Sequence, residues 1–248
     1  MNENIPVNNE NSTGLAEAEY SKMNFIKRVF GVMFFPGKVM QSLEKKPRVL
    51  FGLLLAALSP VALILLTFPM YMEYMRAKLE ITYANMDIDV TAQQMDSIMS
   101  MSKYSSLIGG AIGAVALMLI EALVLWGLVK IFKGEGRYKQ VLSVLGYTGV
   151  IAAVSVIVMI ISVQLTGSFS EVSFTSLASF LPDMKGSFFY GAAKMIEIFS
   201  IWQYIVLGIG LSSVSKLSKN KIIIIVAIIF AAVAIYGGVT EFQAAKYM

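Results

Sequence analysis

Five blocks of about twenty consecutive apolar residues constrain this chain more than any other feature. The hydrocarbon core of a bilayer is about 30 Å thick, and a helix needs about 20 apolar residues to cross it. The composition agrees, because 57% of the residues are hydrophobic and only 15% are charged, against about 25% charged in an ordinary soluble domain. The predicted fold is all-α, a polytopic transmembrane helical bundle with about five spans. The predicted spans are 49–72, 106–132, 141–165, 189–211 and 222–238.

The fifth predicted span opens with the run 222–226, which consists of Ile residues and a Val. In water, a β-branched run of this kind favours a strand. Inside a bilayer every backbone polar group must be satisfied within its own segment, so the run is predicted to be helical.

The rest of the chain divides by composition. Residues 1–21 are rich in Asn, Glu and Ser and are predicted to be a disordered N-terminal tail. Residues 22–47 alternate large apolar side chains with Lys and Arg, which is typical of a basic amphipathic helix lying at the membrane interface. A plain basic flank of the first span is the alternative. Residues 48–240 are predicted to form the five-helix transmembrane domain, and 241–248 a short outer tail.

The distribution of Lys and Arg predicts the orientation of the bundle. Seven of these residues lie in the first 48 positions, four between the second and third spans, and three between the fourth and fifth. Only five lie in the segments on the opposite side. The positive-inside rule therefore predicts a cytoplasmic N terminus and a C terminus outside.

The residue inventory excludes several kinds of site. The chain has no Cys and no His, so mechanisms that need a thiolate or an imidazole are excluded. The glycines around 134–136 lack the spacing and the preceding strand of a phosphate-binding loop. We expect no enzymatic activity, no cofactor and no nucleic-acid partner.

Three charged residues fall inside predicted spans: Glu121, Lys194 and Glu197. A charge at membrane depth costs about 2.5–3.5 kcal/mol on insertion scales, so each residue is a candidate intramembrane polar site. One hypothesis is a proton or cation relay between Glu121 and Glu197. The structural alternative pairs Lys194 with Glu197, since residues at i and i+3 share a helix face.

Small residues mark a second candidate feature. Gly109 and Gly113 form a small-xxx-small pair that lets another helix approach closely. That helix could belong to this chain or to a second copy in a homo-oligomer. Methionines are frequent between residues 70 and 101; copper binding is conceivable for thioethers, but flexible apolar packing is the favoured interpretation.

Two segments between spans carry local signals. Thr91 and Gln94 have the spacing of a capping box, which predicts a helix that starts there and runs into the second span. Residues 166–188 carry Phe and Leu near helical spacing, which favours a short helix on the outer surface.

Three sequence stretches together resemble the Yip1 domain family: Phe-Phe-Pro-Gly-Lys at 34–38, Phe-Lys-Gly-Glu-Gly-Arg-Tyr-Lys-Gln-Val at 132–141, and the segment from Ile-Trp-Gln at 201–203 to Lys221. With the spans they cover about residues 25–240. The resemblance implies five helices, a cytoplasmic N terminus, and a membrane-organising or adaptor role. Eukaryotic relatives engage small GTPases, whereas some bacterial relatives accompany ABC-type exporters.

The chain departs from the eukaryotic pattern, because it has no Asp-Leu-Tyr-Gly-Pro stretch. The departure favours an integral protein of a prokaryotic plasma membrane over a GTPase-binding protein. The leading hypothesis is a non-enzymatic accessory protein that contacts the lipid bilayer and other membrane proteins, with an ABC-type exporter as one partner. The alternative is a small secondary transporter or proton-coupled carrier that uses Glu121 and Glu197.

Overall fold

The computed structural model describes residues 24–247, so the predicted tail at 1–21 lies outside the described residues. The described part is helical, with three short 3₁₀ segments and one isolated β-bridge. Its α-helices are α1 (Phe25–Phe34), α2 (Pro36–Lys45), α3 (Val49–Leu66), α4 (Phe68–Asn85), α5 (Ala92–Ile131), α6 (Tyr138–Thr166), α7 (Phe188–Met195), α8 (Ile198–Ser215) and α9 (Lys219–Ala244).

Five of the helices are long and apolar enough to cross a membrane, which confirms the predicted number of spans. They are α3, α5, α6, α8 and α9. The connections 132–137 and 216–218 meet at one end of the bundle, where Glu135 N donates to Ser215 O at 2.9 Å. We call this the basic end. The opposite end carries α4, residues 167–187 and α7, and we call it the hairpin end.

The first predicted span was too long. The helix ends at Leu66, and α4 begins as a separate helix at Phe68. Pro69 accounts for the break, because it has no N–H to donate to the Leu65 carbonyl and lies in the first turn of the new helix, where no such bond is needed. The capping box at Thr91 and Gln94 is present, and it starts the 40-residue α5.

The fourth predicted span was also wrong in its bounds. The structure divides it into α7 and α8, with extended backbone at Glu197. Ser176 pairs with Glu197 in an antiparallel bridge, and Leu177 N donates to Ile196 O at 2.9 Å. Residues 167–187 therefore fold back onto the bundle through this bridge and two short 3₁₀ segments, and form no α-helix.

The helical core is centred on the first half of α6. All residues from Gln140 to Thr148 are buried, because α3, α8 and the pair α1–α2 pack around them. The tightest crossing joins α3 and α6 at Gly52 and Gly146, where a Cβ added to Gly52 would lie 2.4 Å from the Gly146 Cα. Only glycine at both positions permits this backbone approach.

Helices α1 and α2 have a buried face and an exposed aromatic face. Val32, Val39, Met40 and Leu43 are fully buried against the bundle, and the break at Phe35 precedes Pro36. The exposed large apolar side chains are Phe25, Ile26, Phe30, Phe34 and Phe35. An exposed apolar face on a basic segment is typical of an interfacial helix, and its place in the headgroup region stays a prediction.

The orientation predicted from Lys and Arg can be tested with single cysteines, since the chain has none of its own. Asp89→Cys lies at the hairpin end and Lys139→Cys at the basic end, and both positions are exposed. We expect a membrane-impermeant maleimide to label Asp89→Cys in intact cells and Lys139→Cys only after permeabilisation. The reverse pattern would contradict the predicted orientation.

The crossing of α3 and α6 yields a stability prediction. A Cβ at Gly146 would lie 2.7 Å from the Gly52 Cα, so Gly146→Val must push the helices apart. Overpacking of this kind lowers the free energy of unfolding by about 1–3 kcal/mol, which thermal unfolding in detergent measures. Gly127→Val is the matched control, because no other element of the described chain lies within 4 Å of a Cβ there. Equal decreases in the free energy of unfolding in both variants would contradict the prediction.

Candidate functional site

The polar side chains of the hairpin end collect around the break between α7 and α8. They form two groups: an ionic network on one side of the break and a carboxylate surrounded by hydroxyls on the other. Both groups depend on the break, because it directs the side chains of Lys194 and Glu197 toward different neighbours.

The ionic network joins four elements. Lys194 on α7 pairs with Glu241 on α9 at 2.9 Å and with Glu171 at 3.6 Å. Lys78 on α4 pairs with Glu171 at 2.6 Å. The network contains two cations and two anions, so its formal charge is zero, and it ties the segment 167–187 to both helices.

Close backbone packing holds Lys194 and Glu241 together. A Cβ added to Gly191 on α7 would lie 2.2 Å from the Gly237 carbonyl oxygen on α9. The Lys194 and Glu241 side chains are 16% and 14% exposed. Glu241 also accepts a hydrogen bond from Gly186 N at 3.2 Å. A partly buried pair of this kind needs such further hydrogen bonds to offset the cost of desolvation.

Electrostatics at Glu171 follow from its neighbours. Burial acts to raise the pKa of its carboxyl, but hydrogen bonds from Lys78 and Tyr74 and the charge of Lys194 bring that pKa below its ordinary value. Burial and the adjacent Glu171 carboxylate raise the pKa of Tyr74, so its phenol stays protonated and acts as a donor.

A cavity of about 1080 Å³ opens beside the ionic network. Its polar wall includes Lys78, Glu171, Lys194 and Glu241. Its apolar wall includes Ile81, Met159, Val163, Phe169 and Phe174. A cavity with one charged wall and one apolar wall suits an amphipathic ligand.

Glu197 forms the second group. Its Oε1 accepts hydrogen bonds from Ser155 at 2.7 Å, Thr175 at 2.8 Å and Ser173 at 3.1 Å. Its Oε2 has a single weaker contact with Ser200 at 3.5 Å. Ser155 lies on α6, so the Glu197 carboxylate joins the start of α8 to α6 and to the segment 167–187.

Glu121 stands apart from both groups. It lies ten residues from the end of α5, or about 15 Å from the basic end, whereas Glu197 lies about 27 Å from that end along α8. Within residues 24–247 Glu121 forms no hydrogen bond or ion pair, and Tyr204 on α8 is near enough to interact with it electrostatically. The structure does not bring Glu121 and Glu197 into contact.

Two further predictions concern the Lys194–Glu197 pair and the packing surface at Gly109 and Gly113. Lys194 and Glu197 do not share a helix face, since the helix ends between them, and Lys194 pairs with Glu171 and Glu241. At Gly109 and Gly113 no other part of the described chain lies within 4 Å of an added Cβ. Their use as a helix-packing surface stays a prediction.

Sequence reasoning missed Glu171 and Glu241. Glu241 was placed in a tail, yet α9 continues to Ala244. The signal was present, because neither Pro nor a polar cluster interrupts the chain between the fifth span and Glu241. No comparable signal marks Glu171, whose role depends on how residues 167–187 fold back.

The arrangement offers charge, hydroxyls and a cavity, but no group of three or more Asp and Glu side chains within the described residues could hold a metal ion. A single carboxylate with several hydroxyl oxygens carries one negative charge. That composition fits a monovalent cation or a fixed hydrogen-bonded junction better than a divalent metal.

Comparison with known proteins places the chain among membrane proteins. The model of the Yip1 domain matches residues 30–240. The chain is 26% identical over 208 residues to membrane protein YknW of Bacillus subtilis (strain 168), covering 84% of this chain and 87% of that protein. No solved structure matches the chain.

The lowered pKa of Glu171 predicts how the stability of the protein falls at acidic pH. A carboxyl with a depressed folded-state pKa stabilises the protein above its ordinary value of about 4.3 and loses that contribution as the pH falls through the folded-state pKa. We therefore expect Glu171→Gln to lower the unfolding temperature at pH 7 and to lose less stability on acidification below about pH 4.3.

Thermal unfolding in detergent at several pH values measures both effects. Glu80→Gln is the control, because Glu80 is an exposed acid on α4 whose one ion pair within residues 24–247 is with Arg76, at 4.0 Å. If the unfolding temperature of Glu171→Gln falls with acidification as steeply as that of the wild type, the role given to the Glu171 carboxylate is contradicted.

Proposed function

This chain belongs to the Yip1 domain family, and from that membership we propose that it is a non-enzymatic accessory protein of a prokaryotic plasma membrane. It acts through contacts between its helices and other membrane proteins or lipid. Its partners include, in this proposal, an ABC-type exporter, as the family resemblance implies for some bacterial members.

The observation that carries this proposal is a long unpartnered face on α5. We call it the α5 face, and it comprises Met101, Ile108, Gly109, Ile112 and Gly113. Met101, Ile108 and Ile112 are 74%, 60% and 65% exposed, and at the two glycines open space lies beyond the backbone. The face recurs at helical spacing along the axis, so a second helix can lie against it.

The chemistry of the α5 face favours a protein helix over lipid alone. Apolar side chains gain no hydrophobic energy when one helix replaces lipid, so association depends on close van der Waals packing. Gly109 and Gly113 supply the shallow surface that such packing needs, and larger side chains flank them.

The hairpin end extends this contact surface beyond the bilayer. Helix α5 has 40 residues, or about 60 Å, which is twice the thickness of the hydrocarbon core. Its first half packs against α4, where Arg76 pairs with Asp96 and Tyr71 donates to Ser106 at 2.9 Å. This hairpin offers a surface to a partner with its own extramembrane part.

The second candidate function is a small carrier. It is favoured by the Glu197 carboxylate with the hydroxyls around it, and by the cavity, which Ser173 helps to line. If the chain is a carrier, Glu121→Gln and Glu197→Gln abolish flux in proteoliposomes. If it is an accessory protein, both variants leave its function largely intact.

Crosslinking from the α5 face tests the accessory role. The lack of native cysteine allows Ile112→Cys to carry a photoactivatable crosslinker in living cells. We expect crosslinks to one defined membrane protein, identified by mass spectrometry. Adding Gly109→Leu or Gly113→Leu is expected to reduce the crosslinked fraction at least about tenfold, since a helix held by close packing loses its fit.

Gly127→Leu is the matched control, because it lies on the same helix with equally open space, 14 residues or about 21 Å along the axis from Gly113. Its crosslinked fraction is expected to equal that of the unsubstituted chain. Crosslinks only to lipid, or equal loss with all three leucines, would refute the proposed contact. Crosslinks only to the same protein would identify a homo-oligomer as the partner.

A further inference from the structure

The Glu197 carboxylate has no cationic partner. Within residues 24–247 no Lys or Arg forms an ion pair with it, and the nearest basic residue along the chain, Lys194, is committed to Glu171 and Glu241. Glu197 lies about 27 Å from the basic end along α8, within the thickness of the hydrocarbon core. The side chain is partly buried at the edge of that core, where a bound cation can balance its charge.

Its polar contacts suit an ionised carboxylate. Three hydroxyl oxygens lie 2.7–3.1 Å from the single oxygen Oε1. The carbonyl oxygen of a neutral acid has two lone pairs, whereas a carboxylate offers about four acceptor sites. A proton on Oε2 would find only Ser200, at 3.5 Å.

Glu197 also does not act as an ordinary helix cap. It occupies the position before the first residue of α8, yet its side chain accepts no hydrogen bond from the backbone of that helix. Its side chain is directed instead toward hydroxyls from α6 and from residues 173–175.

The surrounding oxygens are ligands for a hard cation. Ser173 Oγ and Thr175 Oγ1 lie 2.8 Å apart, and both lie beside Oε1. Ser176, which forms the backbone bridge to Glu197, is 1% exposed and its Oγ has no hydrogen-bond partner. A buried hydroxyl without a partner is costly, and a bound ion near the bridge would relieve that cost.

Broken membrane helices are a recognised setting for such ions. The interruption frees backbone carbonyls, and the C-terminal end of a half-helix carries partial negative charge. Here α7 ends at Met195 directly before the Glu197 group. One carboxylate among neutral oxygens matches a single positive charge and falls short of the acidic set that Ca²⁺ or Mg²⁺ requires.

We propose that Glu197, with the hydroxyls of Ser155, Ser173 and Thr175, forms a binding site for an alkali-metal cation at the break between α7 and α8. The ion takes the place of the hydrogen bonds to Oε1, because each hydroxyl keeps its proton and rotates to present a lone pair to the ion. It fastens α7, α8 and the segment 167–187 to α6. The site does not depend on the accessory role, since it uses no residue of the α5 face.

The test uses the purified full-length chain in detergent. Unfolding temperature is measured in NaCl, KCl and choline chloride at equal ionic strength, and binding of radioactive Na⁺ is measured directly. We expect a saturable rise in unfolding temperature with Na⁺ or K⁺ that choline does not produce, because a ligand that binds only the folded state stabilises it by mass action. The comparison of Na⁺ with K⁺ decides which ion fits.

Three variants assign the response to this site. Glu197→Gln is expected to abolish it, and Ser155→Ala and Thr175→Val to weaken the apparent affinity at least about tenfold. Ser162→Ala is the matched control, since it removes a hydroxyl from the same helix two turns away. Glu171→Gln controls for removal of a nearby acid.

Unfolding temperatures that are the same in all three salts, or saturable binding that persists in Glu197→Gln, would overturn the proposal. If Glu197→Gln does not fold, the two hydroxyl variants and direct Na⁺ binding to the unsubstituted chain decide the matter. Absence of saturable binding there would also overturn it, without bearing on the crosslinking result at the α5 face.

Discussion

The requirement that backbone polar groups be satisfied inside a bilayer governs this structure. All five spans meet it with continuous helices, but the chain is interrupted at Ile196 and Glu197, directly before α8. There the segment 167–187 compensates, because Leu177 N donates to the free Ile196 carbonyl and Ser176 bridges to Glu197. The fold of that segment and the polar chemistry of the hairpin end both follow from this repair.

The interruption also separates the charged side chains of Lys194 and Glu197. Because α7 and α8 are separate, Lys194 turns toward Glu241 and Glu171, while Glu197 turns toward three hydroxyls. A continuous helix would have allowed Lys194 and Glu197 to neutralise each other. The break instead yields a neutral ionic network beside a cavity and a separate carboxylate without a cation. These two groups have different chemistry although they come from residues only three positions apart.

The basic end is built on a different principle. Its core is mostly apolar, although Arg28 and Ser143 are buried in it. Its helices approach through glycines at Gly52 and Gly146 and at Gly210, where a Cβ would lie 2.3 Å from Val144. Gly109 and Gly113, the pair with the familiar spacing, have no partner within the described chain. Glycine spacing on one helix therefore did not identify the internal contacts, because a close crossing depends on which residue of a second helix lies opposite.

The sequence by itself determined the number of spans, their helical nature, the Thr91 capping box and the family. These depend on local composition and on the thickness of a bilayer, which act on each segment separately. Tertiary structure alone decided that the fourth predicted span is divided into α7 and α8, and that Glu241 belongs to a helix and pairs with Lys194. It also decided that Ser155, Ser173 and Thr175 surround Glu197. Those contacts join residues up to 47 positions apart, and no local pattern encodes which distant side chains meet when helices pack.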